Sequence, residues 1–340
     1  MKDLAQIPFQ SIIDALLDET HPFKPVFLFR LSGLQTHELS LLKKNWAKIS
    51  VQRRRDILDD MEEFTESDPL MAFEPVGYLA LKDTDPQVRL TATRLLWEES
   101  SLELAHTLLH MLETDEDEEV RAGVASALGN FIYLGEIEEV PKTIFKQVEN
   151  QLIHTFRSTE PPSVRRRALE ALGFSTRAEI PSLIEAVYNS GDDEWTVSAL
   201  FAMGRSADLR WEADVLAMLD HTNPNIRMEA ARAAGELDLE RALPALLELL
   251  EDSHAEVRSA AIWSLSQTGG EGVEEALESL LEDNEDEDEA GLIEDALDNL
   301  AFNQDFRPLE LFDFDQDTLA GFIHEIDDLE EADEEDLEDE

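Results

Sequence analysis

A short pattern that recurs at a fixed spacing limits the fold of this chain more than any other feature. It is written four times between Val164 and Leu265. One small residue marks each copy, 31 residues after the one before: Ala168, Ala199, Ala230 and Ala261. Such a period is typical of a solenoid, in which helix pairs stack on their neighbours, and not of a globular enzyme core. The sequence therefore predicts an all-α fold, a right-handed α-α superhelix of about seven to eight helix pairs.

The repeated segments predict how the helices begin, pack and end. The apolar and small residues of each second helix fall on one stripe, which predicts close packing against the paired helix. Pro86 and Pro224 stand where second helices are expected to begin, because the missing N–H of proline is no loss in a first turn. Gly173, Gly204 and Gly235 close the copies, and we expect them to be left-handed C-caps.

The chain divides into three predicted regions. Residues 1–35 are expected to form an N-terminal helix and a connector, and residues 36–301 the repeat array. Residues 302–340 are predicted to be an acidic, largely disordered tail, since their composition offers little apolar surface to bury.

Local signals set the boundaries of the first elements. Phe9–Leu17 reads as a short amphipathic helix, and Thr36 and Ser50 are predicted N-caps of the first pair. The wider spacing of the pattern near residues 135–148 indicates an insertion, with a bend or a contact loop there.

Charge and composition exclude several classes of function. The formal net charge is -51 and the isoelectric point about 4.2, which argues against nucleic acid or an anionic membrane as a partner. The absence of cysteine excludes thiolate metal sites, disulfides and cysteine nucleophiles. The start lacks the features of a signal peptide, and no apolar run is long enough to span a bilayer, so we expect a cytoplasmic protein.

The C-terminal end carries a disproportionate part of that charge. Between Glu282 and Glu340 the one basic residue is Arg307, and this segment holds about half of the net charge. Apolar patches lie within it, at residues 309–314 and 319–323. We expect the tail either to keep the chain soluble or to dock on its own array, covering a basic surface and competing with an acidic partner.

The arginines fall into two groups. One recurs at the same position of successive repeats and is predicted to bind turn aspartates and helix ends of neighbouring repeats: Arg89, Arg121, Arg165, Arg227 and Arg258. A second group is not needed for that role. With one aromatic residue it forms our predicted partner-binding set: Arg54, Arg166, Arg167, Arg205, Trp211 and Arg232.

Metal and catalytic patterns are weak. Glu103, His106 and His110 share a helical stripe that could hold zinc, although the stripe is more simply a solvated face. Residues 313–317 alternate aspartates like the start of an EF-hand loop, but Thr318 stands where the turn glycine belongs. The sequence contains no phosphate loop, dinucleotide fingerprint or nucleophile elbow. We predict no catalytic residue, no cofactor and no metal.

The Asp, Val-Arg and Ala-Leu-Gly elements of Asp115–Gly129 resemble the HEAT-like repeats of the phycobilisome lyase superfamily, across about residues 34–301. Segments 165–172 and 202–208 also resemble uncharacterised bacterial HEAT-repeat proteins. The superfamily includes bilin lyases, an iron hydroxylase, DNA glycosylases and plain scaffolds, so the resemblance implies the fold more than the function.

Two of these relatives fit the sequence poorly. The hydroxylase uses several His-Glu pairs to hold iron, whereas this chain has them at His37-Glu38 and His324-Glu325, at opposite ends. The glycosylases need a basic groove, which a chain this acidic does not offer.

The sequence thus favours a non-catalytic scaffold or adaptor that binds a protein or peptide on the solenoid surface, mainly on a concave face lined by second helices. The alternative is a bilin-lyase-like chromophore carrier or transferase. The residues that could hold a tetrapyrrole are Trp97, Trp195, Trp211, Trp263, Arg166 and Arg205. Ordinary helix packing is the simpler explanation of those tryptophans.

Overall fold

The computed structural model describes residues 7–67, 70–284 and 286–310, and within them every regular element is a helix. The predicted all-α class is confirmed. The first helix is α1 (Phe9–Leu17), as predicted, and the connector contains a 3₁₀ helix at Pro25–Arg30, of which Leu28 is buried.

The remaining helices alternate along the chain as first and second members of pairs. The first helices are α2 (Thr36–Trp46), α4 (Glu74–Ala80), α6 (Leu102–Thr114), α8 (Lys142–Arg157), α10 (Ile180–Tyr188), α12 (Glu212–Leu216), α14 (Leu243–Leu249) and α16 (Val273–Asp283). The second helices are α3 (Val51–Ser67), α5 (Pro86–Leu95), α7 (Glu118–Glu136), α9 (Pro162–Leu172), α11 (Asp193–Arg205), α13 (Pro224–Glu236), α15 (Ala255–Thr268) and α17 (Glu287–Glu310).

The chain forms two compact units, which divide between Leu239 and Glu240. In unit 1 each second helix packs on the next, from α3 through α5, α7, α9 and α11 to α13. The first helices α4, α6, α8, α10 and α12 pack against this row, and α2 packs on α1 and α4. In unit 2, α14 packs on α15, α16 on α17, and α15 on α17. Contacts between consecutive second helices are what a repeat solenoid requires, because no single pair can bury its own apolar stripe.

Small side chains let the helices of unit 1 approach closely. Ala168, Ala199 and Ala230 have no exposed surface, and the same holds for Leu169 and Leu200 beside them. The alanine that marks each copy of the sequence pattern is therefore a packing residue of the core.

Turn residues cap the second helices as the sequence indicates. Asp85 precedes Pro86, and its carboxylate accepts a hydrogen bond of 3.1 Å from the Val88 N–H. Pro224 is likewise the first residue of α13. Asn223 before it accepts from the Asn225 N–H at 2.9 Å, so Asp85 and Asn223 each satisfy a backbone N–H group that a helix start leaves without a partner.

The prediction that the repeat glycines are left-handed caps is wrong. Gly173 has φ −52° and ψ −36°, and Gly204 lies inside α11. The glycine is needed for space: a Cβ on Gly173 would lie 2.8 Å from the Ala202 carbonyl oxygen, on the next second helix. The left-handed residues come three positions after the glycines, at Ala207 and Asp238, both with φ 50°.

Three boundary predictions turn out differently from one another. Ser50 caps α3, since its Oγ accepts from the Arg53 N–H at 3.4 Å. Thr36 is the first residue of α2 and not its cap, because Gln35 holds that position and its N–H donates to Glu38. The extra residues near 135–148 are taken up mainly by the long helices α7 and α8, and not by a long loop.

The C-terminal helix α17 runs on to Glu310, inside the range predicted to be the tail. Residues 311–340, with the rest of that tail and its aspartate series, lie outside the described residues. No helix in the described part of the chain is both long and apolar enough to cross a membrane.

Candidate functional site

Arginines at the repeat turns join neighbouring repeats. Nε and Nη2 of Arg89 each donate to the Asp115 carboxylate at 2.7 Å, and Nη1 donates to the Asp83 carbonyl at 3.0 Å. The side chain of Asp115 is 7% exposed. This paired, charge-assisted contact ties the turn before α5 to the turn before α7.

The same arrangement recurs along each unit. Arg121 donates to Glu160 and to the Asp115 carbonyl, and Arg258 donates to Glu289 and to the Asp252 carbonyl. Arg165 differs, because it donates to a backbone carbonyl and stacks on Trp195. The predicted arginine ladder is confirmed for Arg89, Arg121 and Arg258, which each bind an acidic side chain of the next repeat. Arg165 departs from it, and Arg227 donates to the carbonyls of His221 and Thr222 in the turn before its own helix.

An open groove crosses the row of second helices in unit 1, with a volume of about 880 Å³. Helices α3, α5, α7 and α9 contribute to it. We call it the Trp97 groove. Its apolar lining consists of Leu90, Leu95, Trp97, Ala122, Gly123 and Ala127.

The groove exists because α7 carries small residues where it faces α5. Ala122 and Ala127 leave space above α7, whereas Gly123 makes room for the Leu90 side chain, which a Cβ at Gly123 would overlap. Trp97 follows the end of α5 and is 59% exposed. A large aromatic side chain that is exposed to solvent beside an apolar groove is more typical of a binding site than of an ordinary protein surface.

Three arginines line the groove, and each is bound by a carboxylate. Arg94 makes two hydrogen bonds to Glu62, at 2.5 and 2.8 Å. Arg166 pairs with Glu194 of α11, and Arg167 binds Glu170 of its own helix at 2.6 Å. The guanidinium charges at the groove are therefore compensated by the chain itself.

Two further carboxylates line the groove and are exposed: Glu98 beside Trp97, and Glu119 in the first turn of α7. Neither side chain has an ion-pair or hydrogen-bond partner among the residues that the structure describes. They carry the uncompensated charge of the groove.

Beyond the groove, an arginine lies among aromatic rings. The Arg205 guanidinium is 4.7 Å from the ring centre of Phe174 and 4.1 Å from that of Phe201. Phe174 in turn packs on Tyr133, which is 46% exposed, with ring centres 5.3 Å apart. The stack holds Arg205 in place, as cation–π contacts do.

Glu229 of α13 is a buried carboxyl group, 5% exposed. Burial raises its pKa to about 7, Arg232 and Arg205 oppose that shift, and Glu236 and Glu170 add to it. Its side chain makes no hydrogen bond within the described part of the chain. A carboxyl group in such a place is costly to ionise, because burial removes the hydration of its charged form.

The structure separates the six predicted partner-binding residues. Arg166 and Arg167 line the Trp97 groove, Arg205 lies in the aromatic stack, and Arg232 is exposed on α13 near Glu229. Arg54 is 6% exposed and pairs with Asp83, so its guanidinium is part of the core. Trp211 is 5% exposed and packs inside unit 1.

The zinc hypothesis on α6 gains no support. Glu103, His106 and His110 are exposed on one face of the helix. Among the described residues, no group of three or more histidines and acidic residues could hold a metal ion.

Sequence reasoning did not single out the groove itself. The sequence suggests Trp97 only as part of a tetrapyrrole site, and it assigns no role to Glu98, Glu119 or the small residues of α7. The available signal was that Ala122 and Gly123 stand where other copies of the pattern carry larger side chains, such as Arg166 and Arg167.

Comparison with known proteins supports the repeat assignment. The family model described as HEAT repeats matches residues 74–173, 180–253 and 212–298. No curated protein matches the sequence.

Solved structures that are similar to this chain include YibA of Escherichia coli. It is 17% identical over 84% of this chain and 98% of that one, with a TM-score of 0.41. The complex of CpcE and CpcF of phycocyanin lyase from Nostoc sp. PCC7120 is 21% identical over 67% of this chain and 94% of that one, with a TM-score of 0.44. Yeast importin-β is 13% identical over 87% of this chain and 47% of that one, with a TM-score of 0.44. These similarities do not assign a function to the chain.

Proposed function

The chain belongs to the HEAT-repeat family, and on that basis we propose that it is a non-catalytic scaffold that binds a protein or peptide segment on the second helices of unit 1. The observation that supports this most strongly is the Trp97 groove, which is open, apolar at its floor and bordered by polar side chains. The cytoplasmic location remains a prediction from the sequence.

The groove has the features of an interaction site. Its lining of Leu90, Ala122 and Ala127 leaves open volume for a side chain from outside, and the exposed face of Trp97 supplies a large apolar contact. Exposed aromatic residues at such positions dominate the energy of many protein interfaces. The ion pairs of Arg94 and Arg166 hold the surrounding side chains in fixed positions, which lowers the entropic cost of binding.

A display library of random peptides, screened against the full chain, tests the proposal. We expect enriched peptides that bind with micromolar or better affinity in fluorescence anisotropy. Ser126 is exposed on α7 and lines the groove, so Ser126→Trp should fill it and weaken binding by at least about tenfold. Trp97→Ala should have a comparable effect, because it removes the main apolar contact.

A matched control is available on the first helices. His106 is exposed on α6, away from the groove lining, and His106→Trp should leave peptide binding unchanged. Circular dichroism checks that all variants keep their helix content. Failure to enrich any peptide that binds, or equal affinity of the chain and Ser126→Trp, would contradict the proposed function.

The chromophore alternative receives less support from the positions of its residues. Trp97 and Arg166 line the groove, whereas Trp211 is buried and Trp195 packs against Phe156 and Arg165 at a repeat turn. A change in the visible absorption of a linear tetrapyrrole when it is mixed with the chain would support the chromophore alternative.

A further inference from the structure

We propose that the segment bound in the Trp97 groove is basic, with a bulky apolar side chain in the groove flanked by lysine or arginine. This rests on the proposed function and goes beyond it, since it fixes the chemistry of the partner. It also differs from the sequence-based expectation of an acidic partner for the arginines.

The arginines at the groove are already engaged in ion pairs. Each guanidinium has a carboxylate partner: Arg94 with Glu62, Arg166 with Glu194, and Arg167 with Glu170. An acidic segment would have to compete with those carboxylates for hydrogen bonds that are already made. Breaking them offsets most of what the new contacts contribute.

The charge that remains at the groove is negative. With the three arginines compensated, Glu98 and Glu119 leave the groove with a local negative charge. Both are exposed, so ammonium or guanidinium groups of a partner can reach them without burial of either charge. Glu98 follows Trp97 directly, which places a carboxylate next to the main apolar contact.

The aromatic ring of Trp97 also favours a basic segment. The face of an exposed tryptophan attracts cations, and an arginine or lysine beside the apolar side chain of the partner can lie over it. Trp97 can thus contact both the apolar side chain and the cationic side chain of such a segment. An acidic segment would gain nothing from the negative face of the ring.

The electrostatic field of the whole chain acts in the same direction. A net charge of -51 attracts basic segments and repels acidic ones before contact. The sequence suggested that the acidic tail docks on the array, but its negative charge would be repelled by the negative charge of this groove.

The random-peptide selection described above also tests this inference, because the sequences of the enriched peptides are read. We expect them to be rich in lysine, arginine and bulky apolar residues. Binding should weaken as salt is raised from about 0.05 to about 0.5 M, since exposed charge pairs are screened. A synthetic peptide with the sequence of residues 311–340 should not compete for the groove.

Charge variants sharpen the test. The double substitution Glu98→Gln, Glu119→Gln should weaken the enriched peptides about threefold to tenfold at low salt and by less at high salt. The matched control removes two exposed carboxylates from first helices, Glu113→Gln on α6 and Glu185→Gln on α10, and should change affinity by less than about twofold.

The outcomes separate the two proposals. Neutral or acidic peptides that bind the groove would refute the inference of a basic partner and leave the proposed function standing. Equal affinity of the two double variants would do the same. Competition by the peptide of residues 311–340 would refute it in favour of the tail. Absence of any groove-dependent binder would refute the proposed function, and this inference with it.

Discussion

The buried carboxyl group of Glu229 should make the stability of unit 1 depend on pH. It is 5% exposed, and burial raises its pKa from 4.5 to about 7. The folded protein therefore holds this proton more tightly than the unfolded chain does. Stability contributed by the protonated form is fully present below about pH 4.5 and is lost as the pH rises toward 7.

The size of the effect follows from the shift. Each pKa unit corresponds to about 1.4 kcal/mol, so raising the pKa from 4.5 to about 7 lowers the free energy of unfolding by roughly 3 kcal/mol at alkaline pH. Glu229→Gln keeps the shape of the protonated side chain and cannot ionise. We expect it to match the unsubstituted chain in acid and to exceed its stability by up to about 3 kcal/mol above pH 7.

Urea unfolding followed by far-UV circular dichroism at about pH 5, 6, 7 and 8 measures this difference. The exposed Glu185 on α10 provides the control, and Glu185→Gln should change stability by less than about 0.5 kcal/mol at every pH. A stability difference for Glu229→Gln that does not grow with pH would refute the reasoning.

Two further comparisons test the packing of the repeats by thermal or urea unfolding. Arg89→Met leaves the carboxylate of Asp115 buried without its partner and should cost about 2–4 kcal/mol. Arg94→Met, at a side chain 45% exposed, should cost less than about 1 kcal/mol, and equal losses would contradict the structural role of the ladder. Gly173→Ala should destabilise by about 1–3 kcal/mol, because the new Cβ meets the backbone of the next helix. In Gly291→Ala, on α17, the new Cβ has no neighbour within 4 Å, and this substitution should stabilise the protein by about 0.5–1 kcal/mol. Stabilisation by both glycine substitutions would show that the close approach at Gly173 does not limit the packing.

Much of the architecture could be predicted from local signals. The recurring small residue predicted stacked helix pairs, and Ala168 and Ala199 are buried where those helices meet. Pro86 predicted a helix start because its ring suits a first turn wherever the chain folds. The ladder could be predicted as well, because the repeat itself places Arg89 and its counterparts at equivalent turns.

The prediction for the glycines failed for a non-local reason. Their role depends on how closely the next second helix approaches, and the Ala202 backbone that crowds Gly173 lies on the following repeat. A sequence pattern shows that a side chain is missing. It does not show whether backbone conformation or space required its loss.

What the sequence by itself determined is the helix-pair architecture, since amphipathic periodicity and turn residues act within one repeat. Only the tertiary structure decided which polar groups remain available. Arg54 and Arg167 look equally unneeded in the sequence, yet one is buried against Asp83, 29 positions away, and the other lines an open groove. The stacking of helices from different repeats brings such partners together, and so it also determines that Trp97, Glu98 and Glu119 face the groove.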